Sequence, residues 1–260
     1  MKRDLNLVAA GFALTALSYG LARFAYGMLL PQIREDLSLG VTAAGWVGGS
    51  AFAASCVGIL LAFYGVGKLG PRFIALAAAL AATAGMGIVT FSSSAWTLGL
   101  GIGLAGLSTG LTSPPLATAV AARFNDRDSP KANGMINAGT AAGIVFSGMA
   151  ALLVAGAWRE LYGLFALIGA GISLWLWFAV PPVRHVQPGG TLSLPYLTWP
   201  GVPALCASAA LTGTASTAVW TFGADILRND FQFAADRLAW VWIVVGVFRY
   251  LRLADGRVDQ

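Results

Sequence analysis

The chain has 260 residues, of which 57% are hydrophobic and only 10% are charged, and 33 are glycine. Soluble domains carry about 25% charged residues, so this composition excludes both a disordered chain and a water-soluble globule. The net charge of +5 does not indicate a nucleic-acid partner, because the cations are scattered through short loops and form no basic stripe. The composition therefore predicts an all-α integral membrane protein in contact with the lipid bilayer.

Apolar runs along the chain are long enough to cross a membrane, which takes about 20 residues of helix. Seven runs meet this length, at 6–30, 41–64, 73–92, 95–122, 134–157, 161–180 and 202–224. An eighth run, 238–248, is shorter and stops at Arg249. The chain thus predicts seven membrane-spanning helices and a partial eighth.

One stretch, 181–201, contains five prolines and two consecutive glycines and is predicted to be a cytoplasmic linker. It separates a six-helix N-terminal transmembrane bundle, 1–180, from the C-terminal residues 202–260. This C-terminal part is predicted to form an incomplete second bundle, with the seventh helix, a short eighth helix and an aberrant basic tail.

The loop cations predict the orientation of the chain. A cytoplasmic N-terminus places eight of them on the cytoplasmic side, namely Lys2, Arg3, Lys68, Arg72, Arg123, Arg127, Lys131 and Arg184. Four then lie outside, namely Arg34, Arg159, Arg228 and Arg237. Because cytoplasmic loops are enriched in Lys and Arg, we expect a multi-pass protein of the inner (plasma) membrane with its N-terminus inside.

Polar residues inside the spans fall on particular helix faces. In the first span, Thr15, Tyr19, Arg23 and Tyr26 are spaced by four, four and three residues, which places them on one face. Similar stripes in the fourth, fifth and seventh spans contain Ser108, Thr112, Asn137 and Thr217. Such residues either form hydrogen bonds between helices, at about 0.6 kcal/mol each, or line a solute pathway. For the whole set we predict a pathway.

Arg23 is the strongest single signal in the chain. An arginine at the centre of a spanning helix costs about 2.5–3.5 kcal/mol on insertion scales, so such residues usually have a function. One alternative is that its side chain extends to the membrane surface. If it faces a cavity instead, it would attract an anionic or hydroxyl-rich solute, or hold two helices together through backbone carbonyls.

Enzymatic and metal-binding patterns are missing from the spans. The sequence has no HExxH motif, paired carboxylates or Ser/His/Asp set within a span. Cys56 and Cys206 stand in neither a CxxC nor a metal-ligand spacing and are predicted to be small buried hydrophobes. We therefore expect no enzyme, no metal and no cofactor.

The end of the first span has a specific sequence. Residues 20–31 read GLARFAYGMLLP and are followed by Asp36 and Leu37. Together with six antiparallel spans, a linker and further spans, this string resembles the major facilitator superfamily, in particular YbfB-type and sugar-efflux-like bacterial permeases. The resemblance implies a secondary transporter that moves a small, unidentified solute by alternating access, with efflux as one direction, and a cavity lined by the first, fourth and seventh helices.

The loop between the second and third spans matches the family pattern in part. Lys68, Gly70 and Arg72 stand at family positions, which implies a gating role for this loop. Gly67 stands where the family usually has Asp. The usual ion pair of this gate is therefore not expected.

The length of the chain departs from the family, whose members have twelve helices in two halves. After Phe248 the sequence changes from apolar to basic, and we hypothesise a frameshift or premature truncation near this residue. The alternatives that stay open are a transport-inactive membrane fragment and a half-transporter that needs a second copy or the missing C-terminal half.

Overall fold

The computed structural model describes residues 2–153, 157–182 and 198–254, and the side chains of 4–153, 157–182 and 198–248. These residues form eight helices and no strand. The first helix, α1, is continuous through Lys2–Thr15, a π-helical segment Ala16–Phe24 and Ala25–Asp36. The others are α2 (Val41–Leu69), α3 (Pro71–Thr90), α4 (Ala95–Ala121), α5 (Ser129–Leu153), α6 (Trp158–Ala179), α7 (Val202–Asn229) and α8 (Ala235–Ala254).

Each predicted apolar run coincides with one helix, and the all-α fold with a six-helix bundle, a seventh and an eighth helix is confirmed. The eighth helix is longer than its apolar run, because it continues through Ala254. The predicted linker falls largely on 183–197, which lies outside the described residues, as does the tail from 255.

Six of the described helices are long and apolar enough to cross a membrane, and α4 is not among them, although the sequence was expected to supply seven. Its many Gly, Ser, Thr and Pro residues lower its hydropathy. Neighbouring helices cover α4 instead of lipid: a Cβ on Gly106 would overlap the backbone of Ala51 in α2, and Gly101 lies against Gly85 in α3. A helix enclosed in this way needs less apolar surface.

Glycine also brings α1 and α5 together. A side chain on Gly20 of the π-helical segment would overlap the backbone of Gly143, and one on Gly139 would overlap the carbonyl of Phe12. Small residues at such crossings let helix backbones approach closely. The middle of α1 is therefore held tightly at the centre of the bundle.

The second group of helices, α7 and α8, is attached unevenly. The end of α7 contacts α1 and α2 through Trp220 and Thr221, which lie against Gly27 and Gly48. The first half of α7, residues 203–215, is exposed throughout. Cys206, in that half, and Cys56 on α2 are both exposed, so the expectation that they are buried is wrong. Each lies on a helix face that no other described helix covers.

The bundle has two ends. The Asp36 end is the one where α1 and α7 finish and α6 begins, and the opposite end, where α1 begins, is the Asp4 end. A Gly at the Asp4 end, Gly70, links α2 to α3 with φ +85° and ψ 165°, a conformation that is open essentially only to glycine.

Candidate functional site

The π-helical segment Ala16–Phe24 determines where the polar face of α1 points. It occupies the middle of the helix and carries Tyr19 and Arg23. A π-helix fits extra residues into a turn, so it rotates the side chains beyond it relative to a regular helix, and such segments are frequent at functional sites. Here it directs Tyr19 and Arg23 toward α4.

The Arg23 side chain lies between α1, α2 and α4. Its Nη1 donates a hydrogen bond of 3.4 Å to Thr109 Oγ1, and its guanidinium carbon lies 3.9 Å from the centre of the Phe52 ring. Its Nε is buried and has no hydrogen-bond partner among the residues that the structure describes. The side chain therefore turns into the helix bundle and does not extend to a membrane surface.

Hydroxyl groups surround Thr109, the residue that receives the Arg23 hydrogen bond. Thr109 Oγ1 lies 2.9 Å from Ser55 Oγ, and its carbonyl accepts a 3.2 Å bond from the Tyr19 hydroxyl. The same Tyr19 hydroxyl lies 3.4 Å from Ser113 Oγ. We call Tyr19, Arg23, Ser55, Thr109 and Ser113 the Arg23 cluster.

Three other residues of the predicted pathway lie in packed helix interfaces. Thr112 Oγ1 is 2.9 Å from Ser18 Oγ and 2.7 Å from the Ser108 carbonyl, and Thr15 donates to the carbonyl of Gly11 at 2.9 Å. Thr15, Ser108 and Thr112 are at most 2% exposed. Their hydroxyls therefore form hydrogen bonds within and between helices.

The remaining predicted pathway residues are separate from the Arg23 cluster. Tyr26 is buried and donates a 3.0 Å hydrogen bond to the Ala44 carbonyl at the start of α2. Asn137 on α5 is exposed, and half-exposed Thr217 on α7 bonds to the Gly213 carbonyl of its own helix. The structure thus brings Tyr19 and Arg23 together, but it does not bring Asn137 or Thr217 to them.

The predicted gating loop contacts α6. Arg72 Nε donates a 2.6 Å hydrogen bond to the Val180 carbonyl just beyond α6, and its guanidinium lies 5.7 Å from the Trp177 ring. Lys68 is exposed and bonds to Tyr64 of its own helix. This loop therefore joins α2 and α3 to the end of α6 without a carboxylate, as expected from Gly67.

Ion pairs join the helices at the Asp36 end. Arg34 of α1 pairs with Asp225 of α7, and both side chains are largely buried. Arg228 of α7 lies 3.5 Å from Glu35 of α1. A third pair joins Arg159 of α6 to Asp36 of α1, beside a cavity of about 700 Å³. These contacts join α1, α6 and α7 at this end.

A comparison with protein families gives a match over residues 12–249 to the model of the Major Facilitator Superfamily. The chain belongs to the Major Facilitator Superfamily. A search of curated protein sequences returns no significant match. The chain is accordingly a multi-pass membrane protein of a transporter family, and not an enzyme.

Solved structures of transporters share the fold. A bacterial homolog of the human lysosomal transporter Spinster, in an inward-facing and unoccupied conformation, is 17% identical with a TM-score of 0.76. The nucleoside transporter NupG is 15% identical with a TM-score of 0.72, and a D-xylose–proton symporter is 14% identical with a TM-score of 0.68.

These comparisons cover 95% of this chain but only 60%, 64% and 66%, respectively, of the three transporter chains. This chain thus spans less than two thirds of the length of each of these three transporters. At such low sequence identity, the structural similarity shows a shared fold.

Sequence reasoning missed Ser55, Phe52, Thr109 and Ser113. A signal for two of them was present, because Thr109 and Ser113 have the same four-residue spacing as Ser108 and Thr112 and lie on the neighbouring stripe of α4. Phe52 and Ser55 stand in an apolar run of α2 that offers no comparable pattern.

Among the described residues, no group of three or more His, Cys, Asp or Glu could hold a metal ion.

Proposed function

We propose that the chain is a secondary transporter that moves a small solute past the Arg23 cluster by alternating access. The observation that carries the proposal is the Arg23 side chain, which turns into the space between α1, α2 and α4. Its buried Nε has no partner within the described ranges of the chain. Membership of a transporter family supports it. Arginines inside spanning helices commonly mark solute pathways.

Within this proposal, Arg23 and Tyr19 contact the solute directly, and Thr109, Ser113 and Ser55 hold them in place. We also propose Asn137 of α5 and Thr217 of α7 as pathway residues, since both are at least partly exposed. Tyr26 and Thr112 support the pathway by fixing α1 against α2 and α4, and Thr15 and Ser108 fill the packed helix interfaces beside it. Lys68, Gly70 and Arg72 are proposed to control movement at the Asp4 end.

The proposed direction of opening rests on the attachment of α7. Its end is joined to α1 by Trp220 and by the Arg34–Asp225 ion pair, whereas its first half is exposed. The solute would then enter the Arg23 cluster from the Asp4 end. With the N-terminus in the cytoplasm, as the loop cations predict, this conformation is open to the cytoplasm, which suits the capture of a solute for efflux.

A second candidate is a chain that transports only with a second copy or with a C-terminal half supplied separately, and that is inactive alone. The exposed first half of α7 favours it, because residues 203–215 offer a continuous face to a partner helix. In this case the Arg23 cluster forms one wall of the pathway and the partner forms the other.

Transport by the purified chain in proteoliposomes tests the proposal. The first probes are radiolabelled D-xylose, uridine and benzoate, which sample sugar, nucleoside and anionic solutes. We expect uptake of at least one of them to fall tenfold or more in Arg23→Ala, with unchanged protein abundance in the vesicles. Arg127→Ala, which removes an exposed arginine of the α4–α5 loop, should transport like the unaltered chain.

Equal uptake by Arg23→Ala and the unaltered chain would overturn the assignment of Arg23 to the pathway. Uptake that occurs only when a separately expressed C-terminal half is added would establish the second candidate. Cross-linking of two copies at Cys206, together with uptake in the absence of a separate C-terminal half, would establish the two-copy form of that candidate.

A further inference from the structure

The positive charge of Arg23 has no counter-charge within the part of the chain that the structure describes. The carboxylates that form ion pairs lie near the helix ends and are matched with other arginines, namely Arg34, Arg123, Arg159 and Arg228. The nearest acidic residue on α1 is Glu35, twelve residues away, which is about 18 Å along a helix. In a membrane-spanning helix this leaves a cation that an anion from outside can neutralise.

The guanidinium also has unused hydrogen-bond capacity. It carries five N–H donors, but its one described hydrogen bond, to Thr109 Oγ1, is long at 3.4 Å. The buried Nε donates to no group in the described part of the chain. A buried donor on a charged group is costly to leave unpaired, so a ligand that accepts from Nε and a terminal nitrogen together would remove this cost.

The surroundings of the guanidinium determine how a ligand can approach. Phe52 covers one face, at 3.9 Å from the guanidinium carbon to the ring centre. Approach is thus favoured along the edge of the guanidinium plane, where two parallel N–H groups match the two oxygens of a carboxylate. A neutral hydroxyl can accept only one of these bonds at a time.

The cavity beside Arg23 has mainly apolar walls. Its lining includes the aromatic rings of Phe24, Phe52 and Trp220, and the centres of the Phe24 and Trp220 rings are 4.4 Å apart. The cavity measures about 10 Å³, which is room for one water at most. Since Trp220 belongs to α7, the cavity can widen when α7 moves away from α1.

On the basis of the proposed transport function, we propose that the solute is a small organic monoanion. Its carboxylate binds the edge of the Arg23 guanidinium, and its apolar or aromatic body lies against Phe24, Phe52 and Trp220. A hydroxyl-rich solute fits this site less well, because hydroxyls beside Phe24, Phe52 and Trp220 would have no hydrogen-bond partners. The hydroxyls of Tyr19 and Thr109 already form hydrogen bonds within the Arg23 cluster. The single unbalanced cation favours one negative charge over two.

Binding of benzoate and of its neutral isostere benzamide to the purified chain in lipid nanodiscs tests this substrate class. Titration calorimetry should show saturable benzoate binding and at least tenfold weaker benzamide binding. Arg23→Gln should weaken benzoate binding tenfold or more. Arg23→Lys should retain part of the affinity, since it keeps the charge but loses the two-pronged contact. Arg127→Gln, the matched control, should bind within twofold of the unaltered chain.

Several results would overturn the proposal. These are no benzoate binding, equal affinity for benzoate and benzamide, and unchanged benzoate binding by Arg23→Gln. Displacement of benzoate by equimolar chloride would indicate a general anion site and would overturn the proposal that the solute is an organic anion. If Arg23→Gln fails to fold, as judged by gel filtration, the proposal is tested by the benzoate–benzamide comparison and by benzoate binding to Arg23→Lys.

The binding test and the transport test can give different results, so each proposal can fail by itself. Arg23-dependent benzoate binding with no uptake of any probe would support the anion site and contradict transport by this chain. Arg23-dependent uptake of xylose or uridine without benzoate binding would retain transport and overturn the anion class.

Discussion

The two ends of α7 are held in opposite ways. Near the Asp36 end, Trp220 and Thr221 lie against glycines of α1 and α2, and Asp225 pairs with Arg34. Towards the Asp4 end, residues 203–215 are exposed throughout. Because the contacts are confined to one half of one helix, a small change there can release α7, whereas the same change in the other half should do little.

Replacement of Gly27 with Val should have the largest effect on this contrast. A Cβ at Gly27 would overlap the Trp220 carbonyl oxygen, and neither backbone can move without separating α1 from α7. We expect a loss of about 4 kcal/mol or more of folding free energy. The measurement is thermal unfolding of the purified chain in detergent.

The matched control is Gly213→Val, on the exposed half of α7, where a Cβ would meet nothing within 4 Å. It should unfold at nearly the same temperature as the unaltered chain. Equal destabilisation by the two substitutions would show that the contrast between the halves of α7 is absent.

Removal of the Asp225 charge should have the next largest effect. Its side chain is 10% exposed and that of Arg34 is 20% exposed, so Asp225→Asn leaves a largely buried arginine without a counter-charge. The expected cost is about 3 kcal/mol. The readout is maleimide labelling of Thr221→Cys, a 4% exposed position, in a background with Cys56→Ser and Cys206→Ser.

Labelling of that reporter should accelerate in Asp225→Asn and slow again when Arg34→Gln is added, because the double variant buries no unpaired charge. In the control variant Asp230→Asn, at an exposed position just beyond α7, the Thr221→Cys reporter should be labelled slowly. An unchanged rate in Asp225→Asn would mean that the ion pair does not hold α7.

The helices themselves could be predicted from sequence, because apolar runs of about 20 residues have few other stable forms in a membrane. The site could be predicted only in part. Arg23 and Tyr19 follow from the spacing on α1, but Thr109 and Ser108 are adjacent and belong to stripes with the same spacing. Which stripe faces Arg23 depends on the rotation of α4 about its axis, and a hydrophobic pattern does not determine this rotation.

The π-helical segment of α1 also could not be predicted from the sequence. It lies where Gly20 approaches the backbone of Gly143, and this contact exists only after the two helices pack. The apolar run of α4 did not indicate where its glycines would lie. They lie at contacts with α2 and α3.

At the Asp4 end, Gly70→Ala should cost about 2 kcal/mol of folding free energy. The residue has φ +85° and ψ 165°, where a Cβ is strained. Gly67→Ala, three residues earlier in α2 and with open space around its Cβ position, should be neutral or slightly stabilising because alanine favours helix. Thermal unfolding compares the two, and an equal response would exclude strain at Gly70.

The smallest effect is expected for Glu35→Gln, which removes the second ion pair between α1 and α7. The distance from Arg228 to Glu35 is 3.5 Å, and the Glu35 side chain is 76% exposed, so water already screens both charges. Exposed pairs of this kind contribute about 0.5 kcal/mol or less. The Thr221→Cys reporter should therefore be labelled at nearly the same rate with Glu35→Gln as with Glu35 unaltered. Addition of 1 M salt should change that rate little. Acceleration equal to that of Asp225→Asn would mean that the whole charged end, and not the buried pair alone, holds α7 against α1.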